Sequence, residues 1–257
     1  MRKAGDAIEL EIFRNLFISI AEEMGAVLGR TGLSPNIKER KDYSCAVFNR
    51  RGETLAQGSH IPVHLGAMPL SVQAALGALT FEDGDLVLVN DPYRGGTHLP
   101  DITAIAPVFV GGRPAFFTAN RAHHSDVGGM SPGSMPLATE IFQEGLILPP
   151  LKLVARGRLN EDVLNLILAN VRTPEERRGD LLAQIAACEK GRVRVLEAVE
   201  KFGLDQVDRY AGLIQDYTEI FLRKTLRTIS PGTYAYADFL DDDGITKEPV
   251  RISVRIT

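Results

Sequence analysis

The spacing of apolar residues changes once along the chain, and this change constrains the fold more than any other feature. Between residues 43 and 120, apolar residues occur in short runs typical of strands, and Gly and Pro separate these runs. After Pro149-Pro150, apolar residues recur every three or four positions over 160–171, 174–202 and 205–228, which indicates helices. Strands and helices in separate stretches of sequence are typical of an α+β fold.

Three parts follow from this pattern. We expect a sheet-rich part over residues 1–150, a helical section over 151–230 and the start of a further β region over 231–257. An amphipathic helix over 7–28 opens the chain. Its expected buried stripe is Ile8, Ile12, Leu16, Ile20 and Val27, broadened by Phe13, Phe17 and Met24. The final residues alternate like a strand in progress, without a closing helix or polar tail. We therefore expect the sequence to be part of a longer chain.

The turn residues locate the elements of the sheet-rich part. They predict a hairpin over 43–57, a short helix over Met68–Leu79, a strand over Asp85–Val89, and a second hairpin of Ile102–Val110 with Ala115–Ala119 around Gly111-Gly112.

Composition excludes several classes of protein. A net charge of −4 lacks the basic excess of a nucleic-acid-binding domain. Cys45 and Cys188 are the only cysteines, which argues against a disulfide scaffold and favours a reducing compartment. No apolar run approaches the ~20 residues of a membrane span. We expect a cytoplasmic protein.

Chemically active residues concentrate in two loops at strand ends. The first loop is Asn90–Asp101, in which Gly95-Gly96 allows backbone conformations that a Cβ would block. The second is Asn120–Gly129, which contains His123 and His124. No Walker motif accompanies either loop.

Hairpin geometry predicts that these loops meet. If Gly111-Gly112 is a two-residue turn, Asp101 lies opposite Ala122 and Pro100 lies opposite His123. Neighbouring strands are ~4.8 Å apart, so the open end gathers His98, Asp101 and either His123 or His124. Strand parity leaves the choice between the two histidines open.

Two imidazoles and a carboxylate form a suitable ligand set for Zn²⁺, Mn²⁺ or Fe²⁺. The alternative interpretation is that these histidines are hydrogen-bonded loop residues without a ligand.

Other polar residues are candidates for substrate binding or acid–base chemistry. His60 and His64 occur in one segment, and either can line a pocket or exchange protons near neutral pH. Glu140 and Glu144 have the spacing of one face of a short helix. Cys45 has no neighbouring base in the sequence, and Cys188 falls on a helical core stripe.

Several of these segments resemble the hydantoinase B family, which includes the B part of 5-oxoprolinases and the alpha subunit of acetone carboxylases. The matching runs, in order, are Lys41–Ala46, His60–Gly66, Asn90–Asp101, Arg121–Gly129, Pro132–Pro136 and Ala138–Gly145. The resemblance covers the chain from about residue 7 onward. Members of the family are about twice this length, which agrees with the expectation of a longer chain.

The resemblance implies a division of labour between subunits. A separate A-type subunit of the actin-like ATPase superfamily uses ATP and Mg²⁺ to phosphorylate the substrate. The B-type subunit completes ring hydrolysis or carboxylation. In acetone carboxylase a His-x-x-Asp pair and a further histidine hold a metal, which implies His98, Asp101 and, as the better fit, His123.

We assign the remaining candidates on this basis. The catalytic candidates are His64, His124 and Asp126. The substrate-binding candidates are His60, Asn90, Arg94, Arg121 and Glu144.

Three functions remain open from the sequence. The first is the B subunit of an ATP-dependent hydrolase of a hydantoin or 5-oxoproline, favoured because that branch is commoner. The second is the corresponding subunit of a ketone carboxylase. The third is a scaffold subunit with structural histidines. Each predicts assembly with another subunit.

Overall fold

The computed structural model describes residues 4–58 and 60–257. Its helices are α1 (Ala4–Thr31), α2 (Pro35–Lys38), α3 (Met68–Ala78), α4 (Glu161–Ala169), α5 (Pro174–Phe202) and α6 (Leu204–Leu226). Its strands are β1 (Tyr43–Asn49), β2 (Thr54–Gln57), β3 (Leu86–Val89), β4 (Asp101–Val110), β5 (Arg113–His123), β6 (Leu151–Ala155), β7 (Arg158–Leu159), β8 (Tyr234–Leu240) and β9 (Val250–Ile256). Short 3₁₀ turns lie at Pro62–His64, Pro92–Arg94 and Ile141–Gln143.

Seven of these strands form one sheet in the order β2-β1-β5-β4-β3-β6-β7. Its neighbouring strands run antiparallel. The hairpin of β8 and β9 forms a separate two-stranded sheet. The predicted α+β class is confirmed.

The sheet extends further along the chain than the sequence predicts. We expected a helical section over 151–230 with its first helix over 160–171, but β6 pairs with β3, and β7 pairs with β6, before that helix begins. The mainly helical stretch therefore begins at Glu161. Leu151–Ala155 carries only one fully buried side chain, Leu153, so its pattern lacks the strong apolar run that marks a central strand.

The two faces of the sheet pack against different helices. One face contacts the long helices through side chains such as Phe17 of α1 and Phe116 of β5. The opposite face contacts α3 through Val72, Ile105 and Phe117. Successive residues of a strand point to opposite faces, so this arrangement decides which polar side chains meet at the strand ends.

The buried stripe of α1 agrees with the expected one along most of the helix and departs from it near the start. Phe13 and Phe17 are buried as expected, whereas Ile8 and Ile12 are exposed. The core side of the helix continues through Ile20, Met24 and Leu28. The aromatic pair decides the orientation, because Phe13 stacks on Tyr210 of α6 at a centroid distance of 4.6 Å.

The second hairpin contains a one-residue irregularity that corrects the predicted register. Near the turn, Val110 pairs with Arg113 as expected. The ladder then shifts between Val108 and Phe109, and Ala115 has no partner in the β4–β5 ladder. Asp101 consequently lies opposite His123, and not opposite Ala122. An extra residue of this kind is a β-bulge, which packing rather than local turn chemistry selects.

Both cysteines are free and buried. Burial raises the pKa of Cys188 to about 12, in agreement with a packed core thiol. Among residues 4–58 and 60–257, the helices lack the combination of length and apolar character that a membrane crossing requires.

Asp180 provides a test of this packing. Its Oδ1 atom accepts hydrogen bonds from the amides of Leu33 and Ser34 at 2.8 and 3.0 Å, and its Oδ2 atom accepts one from buried Arg177 at 2.8 Å. We predict that Asp180→Ala lowers the free energy of unfolding by about 3–5 kcal/mol, because it leaves buried Arg177 with only the partly exposed Glu176 as a counter-ion and removes the acceptor of two backbone amides. Urea denaturation measures this loss.

The matched control is Glu189→Ala. Glu189 pairs with Arg192 on the helix surface with 54% of its side chain exposed, so the expected loss is below about 1 kcal/mol. Equal effects of the two substitutions would contradict the structural role of Asp180.

Candidate metal centre

One end of the β4–β5 ladder brings three histidines to a single carboxylate. Asp101 is the first residue of β4, and His123 is the last residue of β5. His98 lies in the loop that leads into β4, and His64 ends the 3₁₀ turn that precedes α3. The carboxylate is buried, with 7% of its side chain exposed.

The imidazoles divide between the two oxygens of Asp101. His98 Nε2 and His123 Nδ1 lie 2.9 and 3.0 Å from Oδ1. His64 Nε2 lies 3.3 Å from Oδ2, and the hydroxyl of Thr97 donates to the same oxygen at 3.2 Å. Four donors thus fix the orientation of one carboxylate.

The loop that carries His98 is fixed at its start by Asn90. Its side-chain amide donates to the carbonyls of Leu99 and Leu146 at 2.7 and 2.9 Å. Its Oδ1 accepts from the amide of Leu148 at 2.6 Å. All three contacts are to backbone, and Asn90 is fully buried, so this residue shapes the loop.

Glycine is required inside this loop for two separate reasons. Gly95 has a φ of 90°, which favours a residue without a Cβ. A Cβ on Gly96 would lie 2.1 Å from the carbonyl oxygen of Asn90. The Gly95-Gly96 pair therefore lets the chain fold back tightly and bring His98 to the end of β4.

The surroundings of Asp101 keep it ionised. Burial by itself raises the pKa of this carboxyl, but hydrogen bonds from His123, His64 and His98 outweigh burial and hold the pKa well below its usual range. The hydrogen bond to Asp101 raises the pKa of His98 above its ordinary value, against an opposing effect of burial. The centre thus combines a permanent anion with imidazole nitrogens.

Three of these residues form a group that could hold a divalent metal ion. The ligand atoms offered by His98, Asp101 and His123 all lie within 4.8 Å of one another. Two imidazole nitrogens and one carboxylate oxygen suit Zn²⁺, Mn²⁺ or Fe²⁺ and leave coordination positions for water or substrate. The structure thus brings together the three residues that the sequence analysis singled out as candidate ligands.

His123 and His124 point to opposite faces of the sheet. His124 Nε2 lies 2.9 Å from Gln184 Oε1 of α5, and the residue is fully buried. Burial, followed by the charge of Arg177, lowers the pKa of His124 to about 4. The bulge at Ala115 therefore selects His123 for the centre and His124 for the core.

Asp126 is the other catalytic candidate that follows β5, and its carboxylate binds Arg172. Its carboxylate accepts hydrogen bonds from the backbone amide and the guanidinium of Arg172, at 2.5 and 3.0 Å. Ser134 also lies within 3.4 Å of it. Arg172 in turn donates to carbonyls of Gly128 and Gly129, so Asp126 holds this glycine-rich loop together.

His60 packs against α1 rather than beside Asp101. Its ring lies 5.1 Å from that of Tyr43, and a Cβ on Gly25 would lie 2.2 Å from its Nε2 atom. Burial lowers the pKa of His60. Gly25 of α1 therefore provides the space in which this imidazole lies.

The remaining substrate-binding candidates lie in different settings. Arg94 is 65% exposed and lies 3.6 Å from Asp91 in the loop before His98. Glu144 follows a single 3₁₀ turn at Ile141–Gln143. The prediction that Glu140 and Glu144 lie on one face of a short helix is therefore wrong. The glycine and proline residues around this segment limit it to one turn.

Arg121 lies on the α3 face of β5, two residues before His123, and is completely buried. Its guanidinium donates to Thr103 Oγ1 at 2.9 Å and to Ser71 Oγ at 2.7 Å. Ser71 donates onward to the carbonyl of Gly95. This chain of contacts links the sheet to the loop that carries His98.

Comparison with known proteins decides the family. The profile of the Hydantoinase B/oxoprolinase family matches residues 6–257. The chain belongs to this family. The resemblance inferred from the sequence is confirmed.

Two curated relatives have informative names. The chain is 40% identical to 5-oxoprolinase 1 of Arabidopsis thaliana over 88% of its own length and 19% of the relative. It is 36% identical to caprolactamase subunit beta of Pseudomonas jessenii over 93% of its length and 42% of the relative. The chain thus spans less than half of each relative.

Solved structures agree with the fold. The ATP-dependent caprolactamase of Pseudomonas jessenii superposes with a TM-score of 0.86 at 34% identity, over 91% of this chain and 41% of that chain. A nucleotide-free acetone carboxylase superposes with a TM-score of 0.82 at 23% identity, over 89% of this chain and 32% of that chain. The second likeness shows the shared fold alone.

Two residues that contact this centre, Thr97 and Ser44, were not identified from the sequence. Thr97 directly precedes His98 in the same motif, and Ser44 falls within the matching run Lys41–Ala46. Neither hydroxyl has a spacing pattern of its own, because each acts through a contact made by the tertiary fold. Their positions inside family motifs are the only sequence signal available.

The raised pKa of His98 predicts a pH-dependent affinity for metal. A proton on Nε2 must leave before that nitrogen binds an ion, so protons compete with the metal up to a higher pH than at an ordinary imidazole. We predict that the apparent affinity for Zn²⁺ falls about tenfold or more for each pH unit below the pKa of His98. Titration against a chelator of known pH dependence, between about pH 5 and 8, measures the slope. An affinity for Zn²⁺ that does not change across this pH interval would contradict the assignment of His98 as a ligand.

Proposed function

We propose that this chain is the B-type part of an ATP-dependent cyclic amide hydrolase that acts with a separate ATP-using A-type subunit. Its reaction centre is a divalent metal site formed by His98, Asp101 and His123. The observation that carries the proposal is the convergence of these three ligand atoms at the end of β4 and β5. Membership of the Hydantoinase B/oxoprolinase family supports the reaction class.

The names of the relatives favour opening of a cyclic amide. A 5-oxoprolinase and a caprolactamase each act on a ring that contains an amide bond. Such a bond resists attack by water, and ATP-dependent phosphorylation of its oxygen by the A-type subunit, with Mg²⁺, would activate the carbonyl carbon. We propose a hydantoin, an N-methylhydantoin or 5-oxoproline as the substrate of this chain.

The side chains of the centre have defined tasks in this proposal. His98, Asp101 and His123 hold the ion, which would be Mn, Zn or Fe and would supply Lewis-acid polarisation and a position for water. Asp101 contributes the negative charge that offsets part of the cation. Its buried setting at the strand ends keeps the three ligand atoms close together without a large loss of conformational entropy on binding.

Arg121 and Arg94 are the cationic residues nearest in sequence to this centre. Arg121 is buried beside it, with Nη1 unpartnered among the described side chains. Arg94 is exposed in the His98 loop. We propose that these two cations favour an anionic group of the activated substrate. Asn90, His60, His124 and Asp126 have structural contacts of their own, so the proposal assigns them no chemical step.

The partner is part of the proposal. One relative is named a beta subunit, which implies a separate subunit in that enzyme. The enzyme from the same organism is ATP-dependent. We propose that this chain likewise pairs with an A-type ATPase in a hetero-oligomer in the cytoplasm, and that ATP and Mg²⁺ bind to that partner.

Activity of the reconstituted complex tests the proposal. With ATP and Mg²⁺ present, we predict ring opening of a hydantoin or 5-oxoproline. We predict a loss of more than about 100-fold in Asp101→Asn and His98→Ala, because the first replaces an anionic ligand with a neutral amide and the second removes an imidazole ligand. The readouts are the ring-opened product and phosphate release. The control is Asp205→Asn, which makes the same change at an exposed position of α6 and retains full activity.

The same assay separates the alternatives. Consumption of bicarbonate and acetone in place of ring opening would establish the ketone carboxylase function. Full hydrolase activity in Asp101→Asn and His98→Ala would show that these residues are structural and that this chain is a scaffold.

A further inference from the structure

We propose that His64 positions the metal-binding carboxylate of Asp101 and that Ser44 fixes His64 for this task. This inference rests on the proposed function, because it concerns the same centre. It changes the role expected for His64 from an acid–base group to a residue that acts through Asp101.

The two oxygens of Asp101 have different imidazole partners. Both candidate metal-ligating imidazoles face Oδ1, at 2.9 and 3.0 Å. His64 faces Oδ2, at 3.3 Å. The set of ligand atoms that lie within 4.8 Å of one another, taken over residues 4–58 and 60–257, comprises His98, Asp101 and His123, without His64. His64 thus holds the oxygen that points away from the other imidazoles.

The hydrogen-bond direction follows from the chemistry of the partners. An ionised carboxylate only accepts hydrogen bonds, so Nε2 of His64 must carry the hydrogen in its contact with Asp101. Nδ1 of a neutral His64 is then an acceptor, and it lies 3.0 Å from Ser44 Oγ. The Ser44 hydroxyl also lies 3.3 Å from the carbonyl of Ile61, so its hydrogen faces two acceptors. The carboxylate of Asp101 therefore sets the tautomer of His64, and the contact with Ser44 Oγ holds the ring in place.

Burial excludes direct chemistry at His64. Its side chain is 2% exposed, and Ser44 is fully buried. Both ring nitrogens already have protein partners, so neither is free to exchange a proton with a substrate. A buried imidazole with this geometry restricts rotation of the Asp101 carboxylate. Without such a contact, the terminal torsion angle of an aspartate side chain has a broad distribution.

The contact also connects separate elements of the fold. Ser44 lies on β1, His64 ends the 3₁₀ turn Pro62–His64, and Asp101 begins β4. Thr97 holds the same Oδ2 from the His98 loop. Among the residues that the structure describes, loss of His64 would leave Thr97 as the single donor to Oδ2. The carboxylate would then lose its preferred orientation without loss of a ligand.

Binding of Co²⁺ tests this inference, because Co²⁺ reports its ligand geometry through visible absorption. We predict that His64→Leu lowers Co²⁺ affinity about 10–100-fold, as expected for loss of a residue that orients a ligand, and shifts the absorption bands. At saturating Co²⁺ the variant still binds as many ions as the wild type. His64→Gln, whose amide can donate to Oδ2, recovers most of the affinity, and Ser44→Ala shows a smaller loss than His64→Leu.

Thr118→Val is the matched control. Thr118 is a buried residue of β5 that donates to the carbonyl of Cys188 at 3.1 Å, so the variant also loses a buried hydrogen bond, but on the face away from the centre. It should leave Co²⁺ affinity and absorption unchanged. Circular dichroism establishes that each variant is folded.

Two outcomes would overturn the inference alone. An affinity within about twofold of wild type in His64→Leu would show that His64 does not orient the carboxylate. Complete loss of Co²⁺ from a folded His64→Leu at saturation would make His64 a ligand. Failure of the wild type to bind Co²⁺ would overturn the proposed metal site as well, whereas ring-opening activity is decided separately in the reconstituted complex.

Discussion

The contact between the Asp101 carboxylate and three imidazoles is the interaction on which the proposed function of this structure depends. A buried carboxylate is costly unless hydrogen bonds compensate it, and His98, His123 and His64 supply that compensation. The same contacts order the loop before β4 and the 3₁₀ turn before α3. An electrostatic requirement of one side chain thus connects loop, turn and sheet, and it leaves imidazole nitrogens grouped around an anion.

The sheet determines which polar residues take part. Its α3 face carries Asp101, Thr103, Arg121 and His123, and its other face carries Asn120. Asn120 and His124 both contact Gln184 of α5 and belong to the core. Two adjacent histidines therefore have different roles because strand geometry directs them to different faces.

The sequence predicted much of this arrangement. The glycine turn predicted the hairpin of β4 and β5, and the motif spacing predicted that His98, Asp101 and a histidine after β5 meet. The register of that hairpin was wrong by one residue, because the bulge at Ala115 depends on how Phe116 and Phe117 pack against opposite faces. The resemblance favoured His123, but spacing alone could not make that choice.

Other features depend on contacts that no local pattern contains. Asn90 has the residue type of a binding side chain, yet its three hydrogen bonds all go to backbone groups far along the chain or across the loop. Asp126 is similarly held by Arg172, 46 residues away. Strand β6 lacks a strong apolar run, because it pairs near one edge of the sheet. Residue type and spacing predict which side chains could bind a ligand or transfer a proton. Tertiary packing decides which of these side chains are free of structural contacts.

The most direct test of the central claim is a crystal structure of the protein grown with Zn²⁺, with diffraction data collected on both sides of the zinc absorption edge. We predict one anomalous peak about 2.0–2.2 Å from His98 Nε2, His123 Nδ1 and an oxygen of Asp101. An anomalous peak bound elsewhere, or none at these residues in crystals saturated with zinc, would contradict the assignment of this centre.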